Sequence, residues 1–404
     1  MRISPASPLS ASALPEGALA AAPRQLTVFY PMAGDTMGGS HVSLLGLLEG
    51  LDPSQVRILI GLEVPHGRLA AHYAKFEQVA DPAPPARSFD AGARFGPLSV
   101  LRTLRGLKRR RDFLMRNDID IVHTNDGRTH ATWALAAKLA RKRLVWHHRG
   151  SPDARGVRLA APWLADRIIT VSSFALPAQP GSLRRKASVV YSPFDVSVTV
   201  DRAAMRKLIL AEFDLPDDAV ICGFFGTFIP RKRPQAFVEA IDALSAISSR
   251  PVKGLLFGEA TNAAEHYAIR RSIDGSKGRV EDAGYRTPGH EWIGGCDLLL
   301  VPAVDEPLGR TLVEAMLVGT PVIATRSGGN PEALANECGV LVPDLDPATM
   351  AQAASDLLAD RPRVEAMVAR AMTAARTRFS RERHVGEIME TYRALTVRRE
   401  LVRT

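Results

Sequence analysis

Cysteine is scarce in this chain of 404 residues, with Cys222, Cys296 and Cys338 far apart and without CxxC spacing. This excludes a disulfide framework and a CxxC redox or zinc motif, and it predicts buried thiols in a reducing compartment. No apolar run approaches the roughly 18 residues that a bilayer crossing needs. We therefore expect a cytoplasmic protein that does not cross a membrane.

Common nucleotide and metal motifs are also absent. The chain has no GxxxxGK[ST] segment, and its glycine pair Gly38–Gly39 is not part of a GxGxxG, which counts against P-loop NTPases and dinucleotide oxidoreductases. The ten histidines show no HExxH or other close metal spacing. Two Asp-x-Asp triplets occur, at Asp118–Asp120 and Asp344–Asp346, and we expect turn and strand-end roles for the first. We predict no metal and no other cofactor.

The net charge of +9 and the pI near 9.7 point to a polyanionic partner. Basic residues are concentrated in RTLRGLKRRR (102–111), where Leu101, Leu104 and Leu107 recur on one side. Such a segment is typical of a basic amphipathic helix on anionic lipid, which would make the protein peripheral on the inner face of the membrane. A solvated surface helix explains it equally well. Nucleic acid is disfavoured, because neither aromatic interleaving nor a binding motif accompanies the charge.

The pattern along the chain predicts an α/β architecture. After an Ala-, Pro- and Ser-rich stretch (1–23), expected to be a disordered leader, short apolar runs such as LTVFYP, VRILIGL and RIITVS alternate with helical stretches. The pattern begins again at AVICGFFG, and PQAFVEAIDALSAI is one of the helical stretches that follow. We therefore expect two doubly wound parallel sheets that face one another across a cleft. The predicted domains are 24–196 and 197–379, followed by a helix at 380–404.

The most informative segment is VPAVDEPLGRTLVEAMLVGTPVIATRSGGNPEAL (301–334). Glu306 lies in a loop at the carboxyl end of a predicted strand, and Glu314 lies inside the helix that follows. The helix start at Gly309, Arg310 and Thr311 presents free N–H groups suited to a phosphate. Glu314 lies roughly 7–8 Å farther along the axis. This separation is about that between a pyrophosphate and the ribose of its nucleoside, so we expect one carboxylate to bind sugar hydroxyls and the other to bind ribose hydroxyls.

This segment strongly resembles family 4 of the retaining glycosyltransferases, which have the GT-B fold. The resemblance rests on the Glu-x7-Glu segment EPLGRTLVE, continued by AMLVGTPVIATRSGGNPE, and it extends from about residue 26 to the final helix. RFSRERHVGEIMETYRAL resembles the family's last helix, which implies that the helix at 380–404 crosses back to the first domain. It implies that Glu306 positions the donor sugar and that Glu314 binds the ribose. The helix start would bind the pyrophosphate, and domain closure would exclude water.

Other landmarks of that family are found in the predicted donor domain. FFGTFIPRKRPQAF resembles its phosphate-binding loop, in which Gly226 matches the glycine and Lys232 the lysine that binds phosphates. The family's usual arginine is replaced by Thr227, so the resemblance leaves Arg231 or Arg233 to supply that charge. GYRTP falls where members contact the base, which makes Arg286 a candidate.

The predicted acceptor domain carries three matching segments: MGGSHVSLLGLLEGL, VHTND and LVWHHRG. MGGSHVSLLGLLEGL resembles the family's glycine-rich loop and first helix, which implies that Gly38 and Gly39 approach the donor phosphates or the acceptor. His148 in LVWHHRG aligns with a histidine that contacts the donor sugar near the reaction centre. Three further polar side chains are expected to shape the acceptor pocket: Asn125, Asp126 and Arg149.

The resemblance implies transfer with retention, in which the leaving phosphate takes the acceptor's proton and no protein base is obligatory. The expected partners are a UDP- or GDP-linked sugar and a saccharide, lipid-linked or small-molecule acceptor. Two other readings stay open. The first is a catalytically silent homologue or partner subunit, suggested by Thr227. The second is a membrane-surface or nucleic-acid binding protein, suggested only by charge.

Overall fold

The computed structural model describes residues 24–84, 104–177, 185–343 and 345–400, with side chains described as far as Thr396. Its first sheet has seven parallel strands in the order β3-β2-β1-β4-β5-β6-β7. The strands are Leu26–Met32 (β1), Val56–Leu62 (β2), Glu77–Ala80 (β3), Ile121–Thr124 (β4), Arg143–His148 (β5), Arg167–Thr170 (β6) and Ala187–Val189 (β7).

The second sheet has six parallel strands in the order β10-β9-β8-β11-β12-β13. They are Val220–Phe225 (β8), Val252–Phe257 (β9), Val280–Asp282 (β10), Leu298–Val301 (β11), Val322–Thr325 (β12) and Val340–Val342 (β13). Parallel strands need crossover connections, and helices supply most of them.

The helices before the second sheet are Gly39–Gly50 (α1), Arg68–His72 (α2), Leu107–Arg116 (α3), Gly127–Leu139 (α4), Ala161–Leu164 (α5, preceded by a π-helical turn Gly156–Ala160) and Arg202–Glu212 (α6). Those from there onward are Pro234–Ile247 (α7), Ala263–Gly275 (α8), Gly289–Gly295 (α9), Arg310–Val318 (α10), Asn330–Ala333 (α11), Pro347–Ala359 (α12), Arg361–Arg378 (α13) and Arg381–Glu400 (α14).

Both sheets are doubly wound, so the sequence prediction of the fold class is confirmed. In the first sheet the strand order reverses between β1 and β4, and in the second it reverses between β8 and β11. Apolar side chains on both sheets' strands are buried against the helices, as the near-continuous hydrophobic runs predicted. In open α/β sheets, the loops at such a reversal form the ligand-binding crevice.

The last helix, α14, packs on the first sheet although it follows the second in the chain. Ile388, Met389, Tyr392 and Leu395 are buried in the same core as α1 and β1. The Tyr392 hydroxyl lies 2.8 Å from the hydroxyl of Tyr30 on β1. Helix α14 therefore returns to the first sheet, and the exact domain boundaries stay a prediction.

The chain crosses between the two sheets at two adjacent points. Phe194 donates its backbone N–H to the carbonyl oxygen of Phe379 at 2.9 Å, and it forms a parallel bridge with Ser380. The rings of Phe194 and Phe379 pack against each other, with 6.0 Å between their centroids. The two crossing segments thus lie side by side.

The described part of the basic segment, 104–111, exposes several side chains and buries one of its cations. Leu104 is 44% exposed, whereas Leu107 packs partly buried against the core of the first domain, and the predicted membrane contact stays a prediction. Arg110 is 2% exposed and forms an ion pair with the buried Asp81 at 3.1 Å. An unpaired buried guanidinium would be costly, and Asp81 supplies the compensating charge. The predicted leader, Leu101, Arg102 and Asp344 lie outside the described residues.

The three cysteines are free and buried, which confirms their predicted role as small core side chains. Burial raises the pKa of the Cys222 and Cys296 thiols well above the ordinary value, so they are unreactive near neutral pH. In the part of the chain that the structure describes, no helix is long and apolar enough to cross a bilayer.

Candidate functional site

The residues selected from the sequence lie at the strand-order reversals of the two sheets. Gly38 follows β1 and Asn125 follows β4, so both lie at the reversal of the first sheet. Gly226 follows β8 and Glu306 follows β11, at the reversal of the second. The two loop clusters therefore occupy the positions where open parallel sheets bind ligands.

The two loop clusters are held against one another by hydrogen bonds across the cleft. The hydroxyl of Ser172, which follows β6, donates to the carbonyl oxygen of Pro307. Glu332 on α11 accepts from the backbone N–H of Ser173 at 2.6 Å and from the Tyr191 hydroxyl at 2.7 Å. These contacts place the loop that contains Glu306 directly opposite the carboxyl ends of the first sheet.

Glu306 is the centre of the donor-side cluster. Its carboxylate is almost fully buried and forms ion pairs with Arg231 and with Lys232, whose Nζ lies 3.0 Å away. The loop Ser327–Gly329 wraps its backbone: the Gly329 N–H donates to the Glu306 carbonyl oxygen at 2.8 Å. At Gly328, with φ +61°, a Cβ would lie 2.6 Å from the Glu306 nitrogen, so only glycine fits.

The loop after β8 brings the two cations to that carboxylate. Residues Pro230–Lys232 form a 3₁₀ turn, and the Lys232 stem lies 3.2 Å from where a Cβ on Gly226 would be. Thr227 is exposed. Arg233 points elsewhere, donating to the carbonyl oxygen of Leu345 at 2.9 Å. Of the two arginines proposed to replace the family's usual one, the structure brings Arg231 to the cluster.

Helix α10 begins at the donor-side cluster, and side chains of its first turn contact the acceptor domain. Gly309 caps it without any side-chain hydrogen bond, and Thr311 in the first turn is partly exposed. The Arg310 guanidinium donates to the Ser43 hydroxyl at 2.8 Å, pairs with Glu314 at 3.5 Å and stacks on Phe194 at 4.1 Å. Arg310 and Glu314 thus form part of the contact between the domains.

Arg286, the candidate for base contact, lies near the carboxyl end of β10. It pairs with Glu212 at 2.7 Å and its guanidinium lies 5.1 Å from the centre of the Trp292 ring. The structure therefore holds Arg286 in an exposed pair on the second domain and does not join it to the Glu306 cluster.

His148 lies at the end of β5, on the acceptor side of the cleft. Its Nε2–H donates to the carbonyl oxygen of Ser151 at 2.8 Å, and the ring is nearly buried. Burial lowers the pKa of His148 below its ordinary value, and the Ser151 bond opposes this only in part. The imidazole is therefore neutral at pH 7, so it can donate or accept a hydrogen bond but carries no charge.

The three polar residues assigned to the acceptor pocket have different environments. Asp126 caps α4 by accepting from the backbone N–H groups of Arg128 at 2.8 Å and Thr129 at 3.0 Å, so its carboxylate has a structural use. Asn125 is buried, and its Oδ1 has no partner among the described residues. Arg149 donates to the Ser192 hydroxyl at 3.1 Å.

A series of hydrogen-bonded buried side chains behind the pocket was not predicted from the sequence. The Tyr392 hydroxyl lies between Tyr30 and the His123 Nδ1, and the His123 Nε2 lies 3.1 Å from His147 Nδ1. His384 stacks near His147. The sequence offers no signal for this series, because Tyr392 is 269 positions away from His123.

Comparison with known proteins agrees with this geometry. Residues 219–360, which contain the second sheet, match the family model of Glycosyl transferases group 1. A D-inositol 3-phosphate glycosyltransferase of Stackebrandtia nassauensis is 30% identical over 200 residues, 47% of this chain and 44% of the relative. One of Streptomyces avermitilis is 30% identical over 201 residues, 46% and 42% respectively. The chain thus spans less than half the length of these curated relatives.

Solved structures match almost the whole length. Anabaena HepE in complex with UDP and glucose has a TM-score of 0.75 at 21% identity, over 91% of this chain and 99% of HepE. HepE has also been solved with UDP-glucose. A sucrose-phosphate synthase of Thermosynechococcus elongatus has a TM-score of 0.72 at 18% identity, over 92% and 100%. The chain has the GT-B fold that these glycosyltransferases share.

Proposed function

We propose that this protein is a glycosyltransferase that moves a sugar from a nucleotide-sugar donor to an acceptor bound on the first domain. The observation that carries the proposal is the buried Glu306 carboxylate, paired with Arg231 and Lys232 at the strand-order reversal of the second sheet. The match of residues 219–360 to the group 1 glycosyltransferases supports it.

The donor is a sugar linked to UDP or GDP, with UDP favoured because HepE, which shares the fold, has been solved with UDP and UDP-glucose. Lys232, Arg231 and the uncapped start of α10 bind the diphosphate, since it gains negative charge as the sugar leaves. Glu306 positions the sugar, and Glu314 binds the ribose once Arg310 releases it. No metal is needed, because these cations take its place.

The reaction proceeds with retention at the anomeric carbon. Glu306 positions the donor sugar and is not assigned the acceptor's proton. The leaving phosphate oxygen receives the acceptor's proton instead, and neutral His148 binds the sugar near the reaction centre. The anomeric configuration of the product, read by NMR, tests this: an inverted product contradicts it.

Thermal stabilisation by UDP, GDP and ADP, and then by their sugars, tests donor binding. We expect the nucleotides of one base to raise the melting temperature, since a ligand that binds only the folded state raises its stability. Glu306→Gln should then retain nucleotide binding and lose transfer by about 10²-fold or more, the scale of an electrostatic catalytic group. The exposed Glu239→Gln on α7 is the matched control and should keep full transfer.

The outcomes separate the alternatives. Stabilisation by a nucleotide without any transfer favours the silent homologue, and no stabilisation by any nucleotide contradicts the donor site. Unchanged transfer in Glu306→Gln contradicts the assignment of Glu306.

We also propose that the acceptor domain rests on an anionic membrane surface. The segment Gly156–Leu164 exposes Leu159 and Trp163, which are 67% and 78% exposed and four positions apart on one side. Arg155 and Arg158 are exposed beside them. An exposed tryptophan with leucine and arginine is typical of segments that lie in the headgroup region.

Sedimentation with phosphatidylglycerol vesicles tests this membrane contact. Trp163→Ser combined with Leu159→Ser should weaken vesicle binding by about tenfold or more, because two large apolar side chains no longer leave water. Tyr267→Ser removes an aromatic side chain that is 65% exposed on the second domain, and should leave binding unchanged. Equal binding by the double variant and the native protein would contradict the assignment of this surface.

A further inference from the structure

Arg149 is a cation without a counter-charge. Its guanidinium donates to Ser192 at 3.1 Å and lies 3.4 Å from His147 Nδ1, and its buried Nε has no partner. Among the described residues no carboxylate forms an ion pair with it. Burial lowers the pKa of Arg149 to about 9, and the nearby charge of Arg310 adds to this effect. Within the part of the chain that the structure describes, no ion pair offsets the cost of burying this charge.

His41 is a second, independent observation that points to a ligand. It lies in the first turn of α1, is 7% exposed, and neither ring nitrogen has a partner among the described residues. Its Nδ1 lies 4.0 Å from where a Cβ on Gly38 would be. Buried polar atoms without partners are rare in native folds, and each needs an explanation such as a bound molecule.

The surroundings of these two residues are positively charged. Burial is the main cause of the lowered pKa of His41; the charge of Asp126 opposes it, and the charges of Arg128 and Arg149 add to it. The carboxylate of Asp126 already caps α4. Helix α1 begins beside these groups at Gly38 and has no side-chain cap, so its positive end adds to the same field.

We infer that the acceptor carries an anionic group, a phosphate or a carboxylate, which binds between Arg149, Arg128, His41 and the start of α1. The identification of the bound molecule as the acceptor rests on the proposed function. The anion site itself rests on residues of the first domain alone. The donor's diphosphate has its own cations, Arg231 and Lys232, on the second domain. A guanidinium fork binds either oxyanion with two parallel hydrogen bonds.

Calorimetric titration of the full chain with inorganic phosphate, at constant ionic strength and with UDP saturating, tests the anion site. We expect one phosphate to bind besides UDP, and about tenfold more weakly in Arg149→Gln and in Arg128→Gln, because a charge-assisted hydrogen bond is lost. Lys138→Gln, an exposed cation on the same helix as Arg128, is the matched control and should bind phosphate normally. A parallel titration with acetate shows whether carboxylates share the site.

Two further readouts keep the test decisive. The melting temperature of Arg149→Gln should equal or exceed that of the native protein, because an uncompensated buried charge is removed; a clear fall would show a structural role and overturn the inference. No phosphate binding to the UDP-saturated protein, or equal binding by both variants and the native protein, would also overturn it. Failure to bind UDP contradicts the proposed donor site instead, and the phosphate titration is then read without UDP.

Discussion

Arg110 and Arg149 show two opposite uses of a buried guanidinium. Arg110 lies against the Asp81 carboxylate at 3.1 Å and donates to the Ala83 carbonyl oxygen at 2.6 Å, so its charge is compensated. Among the described residues, the hydrogen-bond partners of Arg149 are the neutral side chains of Ser192 and His147. The first arrangement stabilises the fold, whereas the second leaves a charge available to a ligand.

Arg110→Gln should therefore destabilise the protein. Removing one partner of a buried pair leaves Asp81 uncompensated, and we expect the free energy of unfolding to fall by about 3–5 kcal/mol. Denaturant unfolding measures this, with Arg109→Gln as the control because Arg109 is exposed on the same helix and should change stability by less than about 0.5 kcal/mol. Equal stability of the two variants would show that the pair with Asp81 contributes nothing.

At the residue scale, the sequence predicted which loops form the site better than it predicted which side chains contact one another. The Glu-x7-Glu segment placed Glu306 at a strand end, and the structure has it there. The pairing of Arg310 with Ser43 and the stacking on Phe194 join residues 267 and 116 positions apart, which no local pattern records. For the same reason the basic run 102–111 gave no sign that Arg110 faces inward.

At the scale of single elements, helix α14 is attached to the first sheet through buried histidines. His384 donates from Nδ1 to the Tyr191 carbonyl oxygen at 2.6 Å, and its ring lies 6.1 Å from that of His147. Burial lowers the pKa of His384 to about 3, with Arg149 adding to the effect. His123 and His147 are lowered well below the ordinary value for the same principal reason. The helix is therefore docked by imidazoles that must stay neutral.

Acid should weaken this attachment. The unfolded chain binds a proton at His384 below about pH 6.5 that the folded chain does not accept until near pH 3. Stability therefore falls as the pH decreases between those values, by about 1.4 kcal/mol per pH unit for this group. His384→Asn removes this titration, so unfolding free energies measured from pH 7 to pH 5 should depend less steeply on pH. An unchanged slope would contradict the lowered pKa.

The sheets and most helices were predictable because apolar periodicity reflects burial directly. The strand runs around residues 26–31, 56–62 and 219–226 match β1, β2 and β8. Helix α7 begins and ends at the residues of the predicted stretch PQAFVEAIDALSAI, and the proline at its first position fits such a start. The return of α14 to the first sheet came from the family resemblance, since periodicity shows that a helix is amphipathic but not which surface it covers.

At the scale of the whole molecule, Glu332 holds the two domains together. It accepts from Ser173 and Tyr191 of the first domain while lying on α11 of the second. Each such bond to a carboxylate contributes about 1.5–3 kcal/mol when both groups are well placed. Helix α11, beside the Ser327–Gly329 loop, thus fastens the cleft together with the Ser172–Pro307 and Arg310–Ser43 hydrogen bonds.

Glu332→Ala should open the cleft. We expect a larger radius of gyration in solution scattering of the unliganded protein and a rise in donor hydrolysis relative to transfer, because water gains entry. Glu337→Ala, an exposed residue that pairs with Arg370 within the second domain, is the control and should change neither quantity. A radius of gyration identical to that of the native protein would show that other contacts keep the domains closed.

The pairing of Glu306 with Arg231 and Lys232 also affects how nucleotides bind in the cleft and leave it. The carboxylate acts as a built-in counter-ion that occupies the two cations before a diphosphate arrives. Binding then exchanges one anion for another and displaces few ions from the surrounding solution, so nucleotide affinity should depend only weakly on salt concentration. When the spent nucleotide leaves, Glu306 is already in place to neutralise the cations it vacates, which eases the start of the next cycle.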